Sequence, residues 1–347
     1  MTTPVRVGFI PLMDAALLLA AERQGFAEQE GLALTLVRDV SWANLRDKLN
    51  LGYLDAAHML APAAIASSLG LGHVRVDTIA PMALNLNGNA ITLSLALYEA
   101  LAAEADGDLA RPEVSARALR LVIEKRAAAG EGRLTFGHVF PFSAHHYQLR
   151  AWMALGGIDP AEDLNLVVIP PPYMARSLAT GQLDGFCVGA PWNTLAVIEG
   201  HGRILHACSQ IVPRCPEKVL ALRREWDEAN ADTTNRLIRA VHSAAVWASR
   251  EDNRDSFAAL LAEPAALDVP QPVARSILEG RLMVAPGVVR EDQAYLCIGP
   301  NDTSPRPAHA GWVFDRMVEA GQAADEPSLR ERAVTVYRPD RFAQALG

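Results

Sequence analysis

The chain has 347 residues, half of them apolar, and a formal net charge of −8. That length exceeds what one hydrophobic core usually spans, so two lobes are expected, and the acidic balance argues against a direct nucleic-acid ligand. The four cysteines, Cys187, Cys208, Cys215 and Cys297, include no CxxC pair, which weakens zinc and dithiol readings and suits a reduced compartment.

The chain enters a strand-like segment almost at once, at "PVRVGFI". It shows no basic region followed by a long apolar run and a cleavage site, and no stretch nears the ~18 apolar residues of a membrane span. The expectation from this start is a cytoplasmic protein with no membrane insertion. Residues 5–10 predict a strand. Asp14 is placed to cap a helix running to Gln24, which Gly25 ends. Residues 32–37 predict a second strand, Ser41 caps a helix over 42–50, and "GYLDAAHML" turns into a third strand. This β-α-β-α-β order implies parallel strands with helical crossovers.

The pattern then recurs. Residues 134–140 predict a strand, Ser143 caps a helix to Leu155, 164–169 form a strand, 173–180 a helix, and "GQLDGFCV" enters another strand. Gly8 and Gly137, Gly52 and Gly181, Leu54 and Leu183, and Asp55 and Asp184 are each 129 positions apart. Two similar α/β lobes follow, with residues 98–133 a helical insertion. The chain reads as mostly helical from about Val219, with "TNRLIRAVHSAAVWAS" the clearest amphipathic stretch. Open parallel sheets bind ligands beyond the carboxyl ends of their strands. Here those ends carry Trp42, His58, His145, and the run from Gly189 to Asn193.

The polar residues at these ends are donors. His145 falls in the first turn of a helix, whose N-terminus presents free N–H groups, and His146 follows it. Lys218 in "CPEKVLAL" stands at the mouth of an apolar run. Trp42 brings an indole N–H; Asn87 and Asn89 flank Gly88. Gly189 in "DGFCVGAPWN" would let backbone approach a ligand without a Cβ, and Trp192 and Asn193 would pack the crossing between lobes. No G-x-S-x-G, H-E-x-x-H or P-loop accompanies them. Donors without a nucleophile suit capture of a small anion rather than a reaction; the rival reading, an enzyme using His145 and His146 as acid and base, lacks a partner group.

The motifs "SWANLRDKLNLGYLDAAHMLAP", "NLNGNAITLS", "LVVIPPPYM", "DGFCVGAPWN" and "PEKVL" together resemble the nitrate- and bicarbonate-binding receptors of bacterial ABC transporters, over about residues 5–250. The resemblance implies a bilobed, periplasmic-binding-protein-like α/β fold of type II, with two parallel-sheet lobes joined by a hinge. The lobes would comprise residues 1–86 with 194–347, and 87–193. It implies ligand contacts at Trp42, Asn87, His145, Gly189 and Lys218, with His58, Asn89 and His146 secondary, and neither cofactor nor metal. A lysine at 218, where bicarbonate-type receptors tend to carry an acid that helps hold calcium, favours nitrate or nitrite. Ala190 replaces the glutamate usual in "CVGEPWN", and "AHAGW" departs from the family's C-terminal element. Taken with the start of the chain, the resemblance implies the cytoplasmic nitrate/nitrite sensor of the NasS type. Its partner would be an RNA-binding, ANTAR-domain antiterminator of the NasT type, released on anion binding. The alternative is a receptor of an ABC transporter for nitrate or another small anion.

Overall fold

The computed structural model describes residues 2–347. Strands are β1 (Thr3–Phe9), β2 (Leu32–Arg38), β3 (Ala56–Leu60), β4 (Thr78–Asn87), β5 (Asn89–Ser94), β6 (Thr135–His138), β7 (Asn165–Val168), β8 (Gly185–Gly189), β9 (Gly202–Ala207), β10 (Pro216–Arg223), β11 (Arg281–Ala285), β12 (Val288–Glu291) and β13 (Leu296–Cys297). They make two large sheets, ordered β13-β4-β10-β3-β1-β2 and β7-β6-β8-β5-β9, and a β11-β12 hairpin. The fold is bilobed, α/β and periplasmic-binding-protein-like.

The spacing of 129 is structural. In the first sheet β1 pairs in parallel with β3, Gly8 opposite Ala57; in the second β6 pairs in parallel with β8, Gly137 opposite Phe186. A Cβ on Gly8 would lie 2.5 Å from Leu54 Cδ1, and one on Gly137 would lie 2.8 Å from Leu183 Cδ1, so each glycine makes room for the equivalent leucine. Asp55 accepts from Arg6 N at 2.8 Å, and Asp184 from Thr135 N at 2.7 Å. The same carboxylate closes the same strand entry in both lobes.

Several expectations are corrected. The sheets are mixed rather than parallel: β10 runs antiparallel between β3 and β4, and β5 antiparallel between β8 and β9. Each of these strands arrives from the other lobe, so no helical crossover sets its direction. Second, the return crossing is not at 193. The helix Trp192–Ile198 leads into β9, which pairs with β5 in the second sheet, so the chain returns between Ala207 and Pro216. The outward crossing is at Gly88, where φ is 99°. The segment after β8 braces it instead: Ala190 N donates to Gly88 O and Met13 N to Ala190 O, both at 2.9 Å. Third, Asp14 caps no helix. It lies in a 3-10 turn (Met13–Ala15) before the helix Ala16–Arg23, and its side chain is buried.

The serine caps form as the sequence implies. Ser41 Oγ accepts from Asn44 N and Ser143 Oγ from His146 N, starting the helices Trp42–Asn50 and Ala144–Ala154. The region 98–133 is not one insertion but falls within two helices, Leu95–Glu104 and Pro112–Ala128, and their flanks. After Arg290 the chain adds β13 to the edge of the first sheet, and the helices Pro307–Glu319 and Pro327–Val334 pack against Ala61–Leu69.

Candidate functional site

Lys218 lies near the start of β10, fully buried. Its ammonium is 2.7 Å from Asp14 Oδ2 and 2.5 Å from Glu217 Oε1, and sits 5.3 Å from the centre of the Trp42 ring. Asp14 Oδ1 is 2.8 Å from His58 Nε2, and the His58 ring packs against Trp42. These groups belong to the first lobe.

The second lobe meets them from the other side. Asn89, the first residue of β5, donates to Glu217 Oε2 at 2.7 Å and to Gln148 Oε1 at 2.8 Å. His145 Nδ1 lies 3.4 Å from Glu217 Oε1. His145 and Gln148 project from the first turns of the helix Ala144–Ala154. A Cβ on Gly189 would sit 3.3 Å from Leu12 Cδ2 and in contact with Asn89 Oδ1 at 3.4 Å and Asp14 Oδ2 at 3.5 Å, so the glycine leaves open a space beside the cluster that a side chain would take up. Trp42, His58, Asn89, His145, Gln148, Glu217 and Lys218 are all at most 1% exposed. The lobes are closed over them.

Burial and charge set the protonation states. Burial raises the Asp14 carboxyl, but Lys218 and then His58 outweigh it and hold it well below the usual carboxylate range. Burial pushes Lys218 down, while Asp14 and Glu217 bring it above the ordinary lysine value. Glu217 is raised, because burial outweighs Lys218. Burial also lowers His58 and His145, so both rings are neutral near pH 7.

Several polar atoms here have no hydrogen-bond partner among the described residues: Trp42 Nε1, Gln148 Nε2, His58 Nδ1, both ring nitrogens of His145, and Asn89 Oδ1. A buried polar group left unpaired costs about 1–3 kcal/mol. So many at one point mark a place where a ligand completes the bonding.

The structure thus brings Trp42, His58, Asn89, His145, Gly189 and Lys218 together. It does not bring in Asn87, whose φ is 60° and whose amide is spent on the crossing: Oδ1 accepts from Cys215 N and Nδ2 donates to Ala294 O, both at 2.7 Å. His146 faces away from the cluster toward His138, ring to ring at 4.9 Å. Trp192 donates to Pro11 O at 3.3 Å, a contact between the lobes, whereas Asn193 is held by Val188 O and Thr92 Oγ1 within the second lobe. Sequence reasoning missed Asp14, Gln148 and Glu217. Gln148 falls three residues beyond His145 on the same helix face, and Glu217 adjoins Lys218; either spacing could have pointed to it. Asp14 carried no such sign.

Two lobes closing on buried, unpartnered polar groups are the arrangement of a ligand-binding receptor. Residues 1–262 match the NMT1-like family, and the chain belongs to it. It is 30% identical over 352 residues to the nitrate/nitrite binding protein NrtA of Synechococcus elongatus, spanning 98% of this chain and 77% of that one. It is 32% identical over 353 residues to the nitrate import ATP-binding protein NrtC of Synechocystis, spanning 98% of this chain but about half (49%) of that relative's length. The bicarbonate transport ATP-binding protein CmpC of Synechocystis is 34% identical over 74% of this chain and 37% of its own. The crystal structure of the periplasmic nitrate-binding protein NrtA from Synechocystis superposes with a TM-score of 0.89 at 25% identity, covering 99% of this chain and 88% of that one.

These relatives are transport components and binding proteins, and the chain is a substrate-binding receptor rather than an enzyme. They overturn the reading as a cytoplasmic sensor of the NasS type, and with it the antiterminator partner and the role in transcription antitermination. That reading rested on the start of the chain, whereas kinship over nearly its whole length is to import systems. Among the described residues no helix is long and apolar enough to cross a membrane.

Proposed function

We propose that this chain is the anion-capturing receptor of an ABC-type importer, with nitrate or nitrite as its ligand. The observation that carries this is the set of unpartnered buried polar groups on Trp42, Gln148 and His145 in the same buried cluster as the Lys218 ammonium. A small planar anion accepts in-plane hydrogen bonds from several directions, and only donors from both lobes can surround it. Binding therefore favours the closed form, by the difference in affinity between the two states. The names of the relatives, for nitrate, nitrite and bicarbonate transport, support the same ligand class. Lys218 favours nitrate or nitrite over bicarbonate held with calcium, because an ammonium cannot ligate a cation. The partner in this reading is the membrane part of the importer, which receives the closed receptor.

Calorimetric titration with nitrate, nitrite, bicarbonate and chloride, with and without calcium, tests this. Saturable nitrate or nitrite binding without calcium is expected. Binding of bicarbonate alone, dependent on calcium, would overturn the ligand assignment.

A further inference from the structure

The charges at the site do not balance for an anion. One ammonium, Lys218, contacts two carboxylates, Asp14 at 2.7 Å and Glu217 at 2.5 Å, and all three are buried. The two histidines that touch these carboxylates, His58 and His145, are driven neutral by burial. With both acids ionised, the cluster already carries one uncompensated negative charge. A nitrate ion would add a second, in contact range and shut away from solvent, where repulsion is least screened. The donors invite an anion that the carboxylates repel.

We propose that capture of the anion is coupled to uptake of one proton by Glu217, so that the closed complex gains no net charge. This rests on the reading of the chain as an anion receptor. The step balances simply: the free site, one anion and one proton from water give the closed complex. The proton forms an O–H bond at the Glu217 carboxylate, and no other bond is made or broken. Protonation loosens the Glu217 contact with Lys218 and frees an ammonium N–H for the ligand. The new O–H has an acceptor at hand in the unpartnered His145 Nδ1, 3.4 Å from Glu217 Oε1.

The choice between the two acids follows from their neighbours. Asp14 is flanked by Lys218 and His58 and is held ionised. Glu217 faces Lys218 on its own strand, Asp14 from the turn before the first helix, and Asn89 from β5. His145 lies across the lobe boundary, while Cys208, Cys215 and Tyr337 are close enough to feel its charge. Burial raises both thiols and the phenol, so none competes for ionisation near neutral pH. Glu217 is thus the carboxylate with one cation against it, an acid beside it and burial raising it.

The test is calorimetry with nitrate in buffers of differing ionisation enthalpy, from about pH 5.5 to 8.5. Uptake of about one proton per nitrate is expected over the range where free Glu217 is ionised, with affinity falling up to about tenfold per pH unit there. Below it, the site is already protonated and affinity levels off. Glu217→Gln, which carries a neutral group of the same shape, should bind nitrate with no proton uptake and no pH slope. Tight nitrate binding by the unsubstituted protein with no proton uptake at any pH would overturn the coupling while leaving the receptor reading intact. A pH slope that persists in Glu217→Gln would do the same for the assignment to Glu217. Failure of nitrate, nitrite and bicarbonate to bind at any pH would overturn both readings.

Discussion

The Lys218 ammonium and the Asp14 carboxylate meet at 2.7 Å, both buried, although one comes from β10 and the other from the turn after β1. Neither residue could be buried alone. The pair places a cation at the lobe boundary in the one form a folded interior tolerates, with its counter-charge already beside it.

Removing the cation should be severe. Lys218→Met leaves Asp14 and Glu217 buried without their partner, and breaking such a pair costs about 3–5 kcal/mol. Urea denaturation should show that loss in the midpoint at unchanged slope, and calorimetry should show nitrate binding abolished. Retained affinity would remove Lys218 from the site.

The two acids should leave opposite marks on stability against pH. Asp14 titrates below its unfolded value, so its contribution is present above about pH 4 and is lost as pH falls toward its folded value. Glu217 titrates above its unfolded value, so its contribution is present below about pH 4 and is lost as pH rises through the folded value. Denaturation midpoints from about pH 3 to 8 should show Asp14→Asn flattening the acid limb. Glu217→Gln should instead flatten the decline on the higher-pH side and stabilise the unliganded protein at neutral pH.

Trp42→Phe keeps a ring against His58 and removes the indole N–H that has no partner. One hydrogen bond to a charged ligand is worth about 1.5–3 kcal/mol, so nitrate affinity should fall tenfold or more at little cost in melting temperature. An affinity equal to that of the unsubstituted protein would show that this N–H does not reach the ligand.

Gly189→Ala inserts a methyl group 3.3 Å from Leu12 Cδ2 and 3.4 Å from Asn89 Oδ1. The fold should absorb it with a small shift, as these contacts are tight rather than impossible. Nitrate affinity should drop by about tenfold, or 1.4 kcal/mol, because the methyl occupies the approach to Asn89 and Asp14. Titration of the variant reads this directly.

A latch lies apart from the charges. Gln322, in the C-terminal region, accepts from Tyr147 Oη at 2.7 Å and donates to Pro141 O at 2.9 Å. These two partners belong to the second lobe. Gln322→Ala should shift the population toward the open form and weaken binding a few-fold, at about 0.5–1.5 kcal/mol per bond with the lower end for exposed groups. Stopped-flow fluorescence should place the change mainly in the dissociation rate.

How much could be read in advance differs from residue to residue. Ser41 and Ser143 announced their helices, because a cap acts within four residues of chain. The four pairs at a spacing of 129 announced a repeated lobe, because the same glycine-leucine packing and the same aspartate recur in each. Lys218, His145 and Trp42 were legible as donors out of place in apolar surroundings. Asn87 was misplaced, since its neighbour in sequence is a crossing and only the fold shows that its amide holds Cys215 and Ala294. The parallel sheets were half right, since strand direction depends on which lobe a strand comes from.

The order of side chains along the chain therefore determined what is local: strands, caps, the paired lobes, and a supply of N–H donors with one lysine among them. Only the closed tertiary structure decided that Asp14 meets that lysine, and that Asn89 reaches Glu217 from the far lobe with Gln148 behind it. The physical reason is range. Periodicity and helix caps act over a few residues, while the balance of buried charge depends on groups such as Asp14, which folding alone brings within 3 Å of Lys218.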